Sequence, residues 1–266
     1  MTAVHPTAAI DPGAVVGHGL RAGAYSVVEA GAVLAEGCVL GPHAVVLAGA
    51  VLAEGCAVHP FAVVGGDPQD RSYRAEATRA VLGRAVVVRE HATIHRGTAR
   101  GGGETRVGAG TMVMVGAHVA HDCDVGEGVV LANGVQLAGH VVVEPWAVFG
   151  GLAAVAQCLR VGEGAMVAAG SMVETDVPPW HVVSGDRARV RGLNTVGLAR
   201  RGVATETVRE LTALHRALYR AGRPLAVALG EVTVGPGSPR ELVHLVRFLE
   251  ASLASPRRRT GRLVVP

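Results

Sequence analysis

The sequence predicts an all-β solenoid plus α: a parallel β-helix of hexapeptide repeats followed by a small C-terminal helical domain. Three observations predict it. Aliphatic residues recur every six positions along most of the chain. Apolar residues make up 49% of the 266 but aromatics only 3%, so small and β-branched side chains must fill a narrow interior. Beyond about residue 185 the period of six gives way to helical spacing.

The repeat is strict. Val4, Ile10, Val16, Ala22, Val28, Leu34, Leu40, Val46, Leu52, Val58 and Val64 form one run. The register breaks, resumes at Leu82, Val88 and Ile94, breaks again, and runs in sixes from Val107 to Val173. Neither a 3.6-residue helix nor a two-residue strand alternation gives this period. In a hexapeptide solenoid each aliphatic residue points into a prism and the next sits near a corner. Small residues such as Ala14, Ala32, Ala44 and Ala50 also turn inward. Three short strands make a coil, and stacked coils complete one another's core.

The two breaks read as loops, about 65–81 and 98–106, pushed out of the prism. The first contains Asp67-Pro68-Gln69-Asp70-Arg71 and the second Gly101-Gly102-Gly103. Insertions in a regular solenoid collect on one face, often the binding face. The repeat ends near Asp176-Val177-Pro178-Pro179-Trp180, where prolines stop strand pairing. A helix starts at Thr205, carries Val208, Leu211, Leu214, Leu218 and Tyr219 on one face, and ends at Gly222 and Pro224. A second spans Pro239 to Leu253. The expected division is a β-helix over 1–185, a helical domain over 190–255 and a basic tail over 256–266.

Charge and cysteines exclude several classes. The formal charge is +3, and all 25 basic residues are arginine. Coding bias and anion recognition by guanidinium forks both produce that pattern. The balance is too mild for a nucleic-acid binder, with no basic arm interleaved with aromatics before the last ten residues. Cys38, Cys56, Cys123 and Cys158 form no CxxC pair, which argues against zinc ribbons and thioredoxin-like motifs and for buried thiols in a reducing compartment. Met1 to Ile10 lacks the features of a signal peptide, and no apolar run reaches membrane-spanning length. The expectation is a cytoplasmic protein without stable membrane insertion, needing no cofactor.

The chemistry-bearing residues are histidines. His118 and His121 flank Val119-Ala120, Asp122 follows directly, and His140 comes 19 residues after His121. A coil of three hexads holds about 18 residues, so His121 and His140 should meet on one edge of the prism. His95, after the inward Ile94, should be outward and accessible, and the His121 ring should face solvent. An imidazole is a natural general base near neutral pH, and an adjacent carboxylate such as Asp122 can hold its tautomer.

The segments Ile94-His95-Arg96-Gly97-Thr98, Ala117-His118-Val119-Ala120-His121-Asp122-Cys123, Leu131-Ala132-Asn133 and Leu137-Ala138-Gly139-His140 resemble the UDP-N-acetylglucosamine O-acyltransferases of lipid A synthesis. So do Pro68-Gln69-Asp70 with Tyr73, Asp176-Val177-Pro178-Pro179, and Asn194 to Gly202 with Arg200-Arg201-Gly202. The resemblance implies a left-handed β-helix and a homotrimer with active sites between subunits. It implies transfer of an (R)-3-hydroxyacyl chain from acyl carrier protein to the 3-hydroxyl of UDP-N-acetylglucosamine. It assigns His121 as base, Asp122 as its support and the Gly139 N–H as oxyanion donor. Asp70, His118, His140 and Gln157 would contact the sugar nucleotide, and Asn194, Arg200 and Arg201 its nucleotide end. Ala169 would stop the acyl chain. Ala156, Ser72 and Val196 stand where the family usually has His, Lys and Glu.

Other readings remain at this point. His118, His121 and His140 could be the ligands of a γ-class carbonic anhydrase-like zinc enzyme on the same fold. The solenoid could be a non-catalytic scaffold. The three departures also allow a paralogue acting on an altered UDP-amino sugar.

Overall fold

The computed structural model describes residues 3–255; the basic tail expected at 256–266 lies outside the described residues. Short strands stack into three parallel sheets, which form the faces of a left-handed β-helix. The first face begins at Ala3–Val4, the second at Ala9–Ile10 and the third at Val15–Val16. Successive coils pair in register, Val39 with Ala57 for example, at 57 − 39 = 18 residues. Where a loop intervenes the chain leaves the prism and returns to the same register. Ala57 pairs with Val87 thirty residues on, and Val87 with Met112 twenty-five on (87 − 57 and 112 − 87). The insertions are therefore segments of about twelve and seven residues, between Val63–Gly66 and Arg79–Leu82 and between Thr93–His95 and Glu104–Val107.

The aliphatic positions of the repeat fill the core from Ala22 to Val173. A second inward column of small residues, including Ala32, Ala44, Ala50, Cys38, Cys56 and Cys123, is buried beside them. Burying one inward leucine contributes about 1.5–3 kcal/mol. Val4 and Val16, expected inward, are exposed, because they lie in the first coil with no other coil beneath them. Ala14 in that coil is only half-buried.

The last prism strand, His181–Ser184, turns back in an antiparallel pairing with Arg189–Leu193 and delivers the chain to four helices. These are α1 (Thr195–Arg200), α2 (Thr205–Tyr219), α3 (Leu225–Gly230) and α4 (Arg240–Ala254). Trp180, Leu198, Leu211, Leu218, Leu245 and Leu249 lie in their shared core. The sequence pattern predicts a stop at Pro224 and no helix between it and the one that starts at Pro239. The proline instead precedes Leu225 as the N-cap of α3, since its fixed φ starts a helix as readily as its missing N–H ends one.

Glu144 and Glu163 fasten the helices to the prism. Arg240 on α4 donates twice to Glu163, at 3.0 and 2.7 Å. Glu144 accepts from His244 on α4 (2.7 Å), from Arg160 (2.7 Å) and from the Glu163 N–H (2.9 Å). Burial raises the Glu144 pKa, but the bonds and charge of His244, then Arg160 and the Glu163 N–H, outweigh it and leave the carboxyl below its usual value. A depressed folded pKa stabilises above the unfolded value near 4.3 and loses that contribution as pH falls through the folded one. Glu144→Gln should therefore cost about 1–3 kcal/mol in denaturant unfolding at pH 7. The difference from wild type should shrink below about pH 4, where wild type loses the same contribution. An equal difference at both pH values would exclude this role.

Candidate active site

The 18-residue coil fixes which side chains meet. His118, Gln136, Ala154 and Met172 pair in sequence and stand one above another on the outer second face. At the edge between the second and third faces the columns are His121–Gly139–Gln157 and Asp122–His140–Cys158. The His140 N–H donates to the His121 carbonyl and the Cys158 N–H to that of Gly139, each at 3.0 Å. The 19-residue spacing thus places His140 above Asp122, with Gly139 directly over His121. The His121 and His140 rings still meet edge-on, centroids 5.2 Å apart. Asp122 and His140 both have φ near +60°, a region that Asp and His tolerate better than most residues.

Asp122 is the centre of this edge. Its side chain is 1% exposed. His121 Nδ1 donates to its Oδ2 at 2.8 Å. The Thr98 N–H donates to Oδ1 at 2.7 Å and the Thr98 hydroxyl to Oδ2 at 2.8 Å. The Asp122 N–H in turn donates to Thr105 Oγ1 at 2.8 Å. Thr98 opens the second loop, whose single 3-10 turn (Ala99–Gly101) it caps. That turn lies so close that a Cβ on Gly101 would fall on the Asp122 carboxylate. A Cβ on Gly139 would meet the His121 ring at 2.6 Å. Two glycines therefore let backbone pack against both members of the pair.

The His121 ring is only 13% exposed, less than the sequence reading expected, because Gly139 covers it and Asp122 draws it inward. With Nδ1 committed to the carboxylate, Nε2 is the ring's basic nitrogen. Among the described residues the Gly139 N–H has no hydrogen-bond partner.

His118 lies one step along the same surface, its Nδ1 2.7 Å from Thr93 Oγ1 and its ring edge-on to His95. Burial, then the neighbouring His95 and His121, push its pKa down to about 4, so it is neutral at physiological pH. His95 is not freely accessible as expected: the first loop folds over it, Gly66 packs on its ring, and its Nδ1 is buried without a partner. Asp70, on that loop, accepts from the Ser72 N–H at 2.7 Å, which with the Ser72 hydroxyl holds its carboxyl below the usual range.

A cleft of about 550 Å³ runs from this edge across the second face. His118, His121, Gly139, Gln157 and the first loop's Gln69 border it, and Ala120, Ala138, Ala154 and Ala156 leave it room. Gln69 belongs to a motif read in the sequence but has no role assigned there, and Gln136 and Met172 are not singled out, although coil arithmetic from His118 reaches both. Ala169 is exposed at the edge between the first and second faces, beyond the far side of that face.

The nucleotide-end candidates lie elsewhere. Arg201 stacks on Trp146, 3.5 Å from its ring centroid, at the edge between the third and first faces. Arg200 is exposed beside it. Both polar atoms of Asn194 are engaged: Oδ1 caps α1 through the Gly197 N–H, and Nδ2 donates to the Gly164 carbonyl, both at 2.9 Å. One chain does not bring this group to His121.

Among the described residues His121, Asp122 and His140 are the cluster with metal-ligand spacing. His118, which the zinc reading requires as the third histidine, is not in it.

A hexapeptide prism with a helical end and a histidine–aspartate pair at the mouth of a cleft defines the hexapeptide-repeat transferase class. A profile described as UDP N-acetylglucosamine O-acyltransferase, domain 2, matches residues 176–259, and one for the bacterial transferase hexapeptide (six repeats) matches 104–139. An acyl-[acyl-carrier-protein]–UDP-N-acetylglucosamine O-acyltransferase of Alkalilimnicola ehrlichii is 47% identical over 95% of this chain and 98% of its own. The enzyme of the same name from Xylella fastidiosa is 40% identical, over 94% and 95%. The solved UDP-N-acetylglucosamine acyltransferase of Campylobacter jejuni superposes with a TM-score of 0.87 at 34% identity, covering 93% of this chain and 96% of that one. The chain belongs to the acyl-[acyl-carrier-protein]–UDP-N-acetylglucosamine O-acyltransferase family.

The Asp122 pocket depends on Gly101 lacking a side chain. Gly101→Ala should displace the second loop and lower kcat by about 10- to 100-fold, as small misplacements in a positioned site do. The melting temperature should stay within a few degrees of wild type. Unchanged kcat would show that the loop does not set Asp122.

Proposed function

We propose that this protein transfers an (R)-3-hydroxyacyl chain from acyl carrier protein to the 3-hydroxyl of UDP-N-acetylglucosamine, in the cytoplasm, as the first step of lipid A synthesis. The observation that carries the reading is the buried Asp122 carboxylate on His121 Nδ1, with Nε2 left basic at the cleft. His121 Nε2 removes the proton from the sugar hydroxyl as its oxygen attacks the thioester carbonyl. Asp122 holds the tautomer and stabilises the imidazolium. The oxyanion forms beside the Gly139 N–H, a donor already in place and not used elsewhere among the described residues. Collapse of the tetrahedral species breaks the C–S bond, and the imidazolium returns its proton to the departing thiolate.

His118 and Gln157 border the cleft on the acceptor side, and Asp70 and His140, close to His121 but outside the cleft lining, would reach the sugar nucleotide from its edge. His118, neutral, serves as a hydrogen-bonding group and not as a cation. Ala156 leaves space where the family usually has histidine. The acyl chain crosses the second face between Ala154 and Met172 toward Ala169, which sets its end. Ala169 is not an inward packing residue, which favours this role.

Arg200 and Arg201 bind the diphosphate, a match for guanidinium forks. Asn194 acts by anchoring the helix that presents them. Since they and His121 occupy different edges of one prism, the complete site forms between neighbouring subunits of a homotrimer.

One experiment tests chemistry and assembly together. His121→Ala should lower turnover by about two to four orders of magnitude with the fold intact. Arg201→Ala should weaken acceptor binding. Trimers assembled from a one-to-one mixture of the two variants should regain about a quarter of the wild-type sites, the random chance that an intact His121 faces an intact Arg201. Near-wild-type turnover in His121→Ala would remove it from the mechanism, and no recovery on mixing would place the site within one chain.

A further inference from the structure

Arg96 stands at the root of the second loop but its side chain belongs to the first. It is only 14% exposed. Its N–H donates to the backbone carbonyl of Gly66, where the first loop leaves the prism, at 2.8 Å, and the next N–H, of Gly97, donates to Arg79, where that loop returns, at 3.1 Å. One guanidinium nitrogen, Nη2, then reaches two residues of the loop itself. It pairs with the Asp67 carboxylate and donates to the Tyr73 hydroxyl at 2.9 Å. The Tyr73 ring lies 5.8 Å from the guanidinium carbon, and its hydroxyl approaches Asp67 at 3.4 Å. The mouth of the loop is packed as tightly: a Cβ on Gly49 would meet the Thr78 carbonyl at 2.5 Å and Arg96 Cδ at 3.1 Å.

The loop's other side-chain hydrogen bonds stay within it. The Ser72 N–H donates to Asp70, Arg74 donates to the Arg71 and Tyr73 carbonyls, and the Arg74 N–H donates to Glu76. Yet this loop carries Gln69 at the cleft and Asp70 close enough to feel the charge of His121. A twelve-residue excursion needs an external tie to keep those two side chains in place.

We propose that Arg96 is a positioning residue that latches the first loop, through Asp67 and Tyr73, over the acceptor side of the cleft. It touches no reacting atom. Its effect is to pre-order Gln69 and Asp70, so that the sugar nucleotide does not bear the cost of ordering the loop. A lysine replaces it only in part, because its ammonium is more strongly hydrated than a guanidinium and has no planar face to set against the Tyr73 ring. The role rests on the acyltransferase reading for its kinetic consequence, but the latch itself does not.

The test uses the full-length protein with Arg96→Gln, Arg96→Lys and, as surface variants that spare the prism, Asp67→Ala and Tyr73→Phe. Three quantities are read: the melting temperature, kcat and KM with UDP-N-acetylglucosamine, and the rate of trypsin cleavage after Arg71 and Arg74. Arg96→Gln should raise KM about tenfold while kcat changes less than about threefold, the scale of losing one charge-assisted hydrogen bond. Trypsin should cut the loop about tenfold faster, with UDP-N-acetylglucosamine restoring protection. Arg96→Lys should fall between, and Asp67→Ala combined with Arg96→Gln should be no worse than Arg96→Gln alone. If kcat falls with KM unchanged, or if neither cleavage nor KM moves in any variant, the latch is wrong. If the wild-type protein does not turn over UDP-N-acetylglucosamine, the acyltransferase reading fails, and the cleavage rates of the four variants still decide the latch.

Discussion

The parallel backbone ladder is the interaction everything else depends on. Each coil is hydrogen-bonded to the next in a register of eighteen residues, kept across both loops. Strands two residues long have no stability of their own. They persist because neighbouring coils share a core of valine, leucine and alanine and because backbone groups at the corners bond to the coil above. A one-residue slip would turn the inward column outward, so the register is strongly specified. That same rigidity makes an edge of the prism a precise place for chemistry, since a side chain at position i is aligned with i+18 to within the spacing of adjacent strands.

The edge between the second and third faces uses this precision. Both loops leave the prism there, and the His121–Gly139–Gln157 column rises beside them. The second loop buries Asp122 with two donors from Thr98 and the first reaches the cleft with Gln69. A carboxylate so enclosed is costly unless bonded, and here it is bonded by Thr98 and His121. The protein thus spends hydrogen bonds on the support of the base and leaves the base's outer nitrogen and the Gly139 N–H available to a substrate. The helical unit, fastened through Glu144 and Glu163, sets Arg200 and Arg201 at another edge of the prism, away from His121.

The periodicity revealed the prism because every coil obeys the same steric rule. Val4 and Val16 were misjudged because periodicity does not encode where a stack ends. The histidine cluster was legible from type and spacing, and its outline followed from eighteen-residue arithmetic. Its burial was not, because the cover on His121 and His95 comes from Gly139, Gly66 and the loops, whose path no period describes. The double engagement of Asn194 is a capping interaction that a nucleotide-contact motif conceals. Helix α3 was missed since a proline marks both the end of one helix and the start of another. The network of Asp67, Tyr73 and Arg96 joins residues up to 29 positions apart through loop geometry alone.

The central claim is that Asp122 fixes the His121 tautomer and leaves Nε2 as the base. Nitrogen-15 NMR of the imidazole in the resting protein tests it directly, with His121→Gln used to assign the signal. At neutral pH the account predicts a protonated Nδ1 and an unprotonated, pyridine-like Nε2 for His121. In Asp122→Asn this preference should weaken or reverse. A His121 ring protonated on Nε2, with Nδ1 bare, in the wild-type protein would contradict the account.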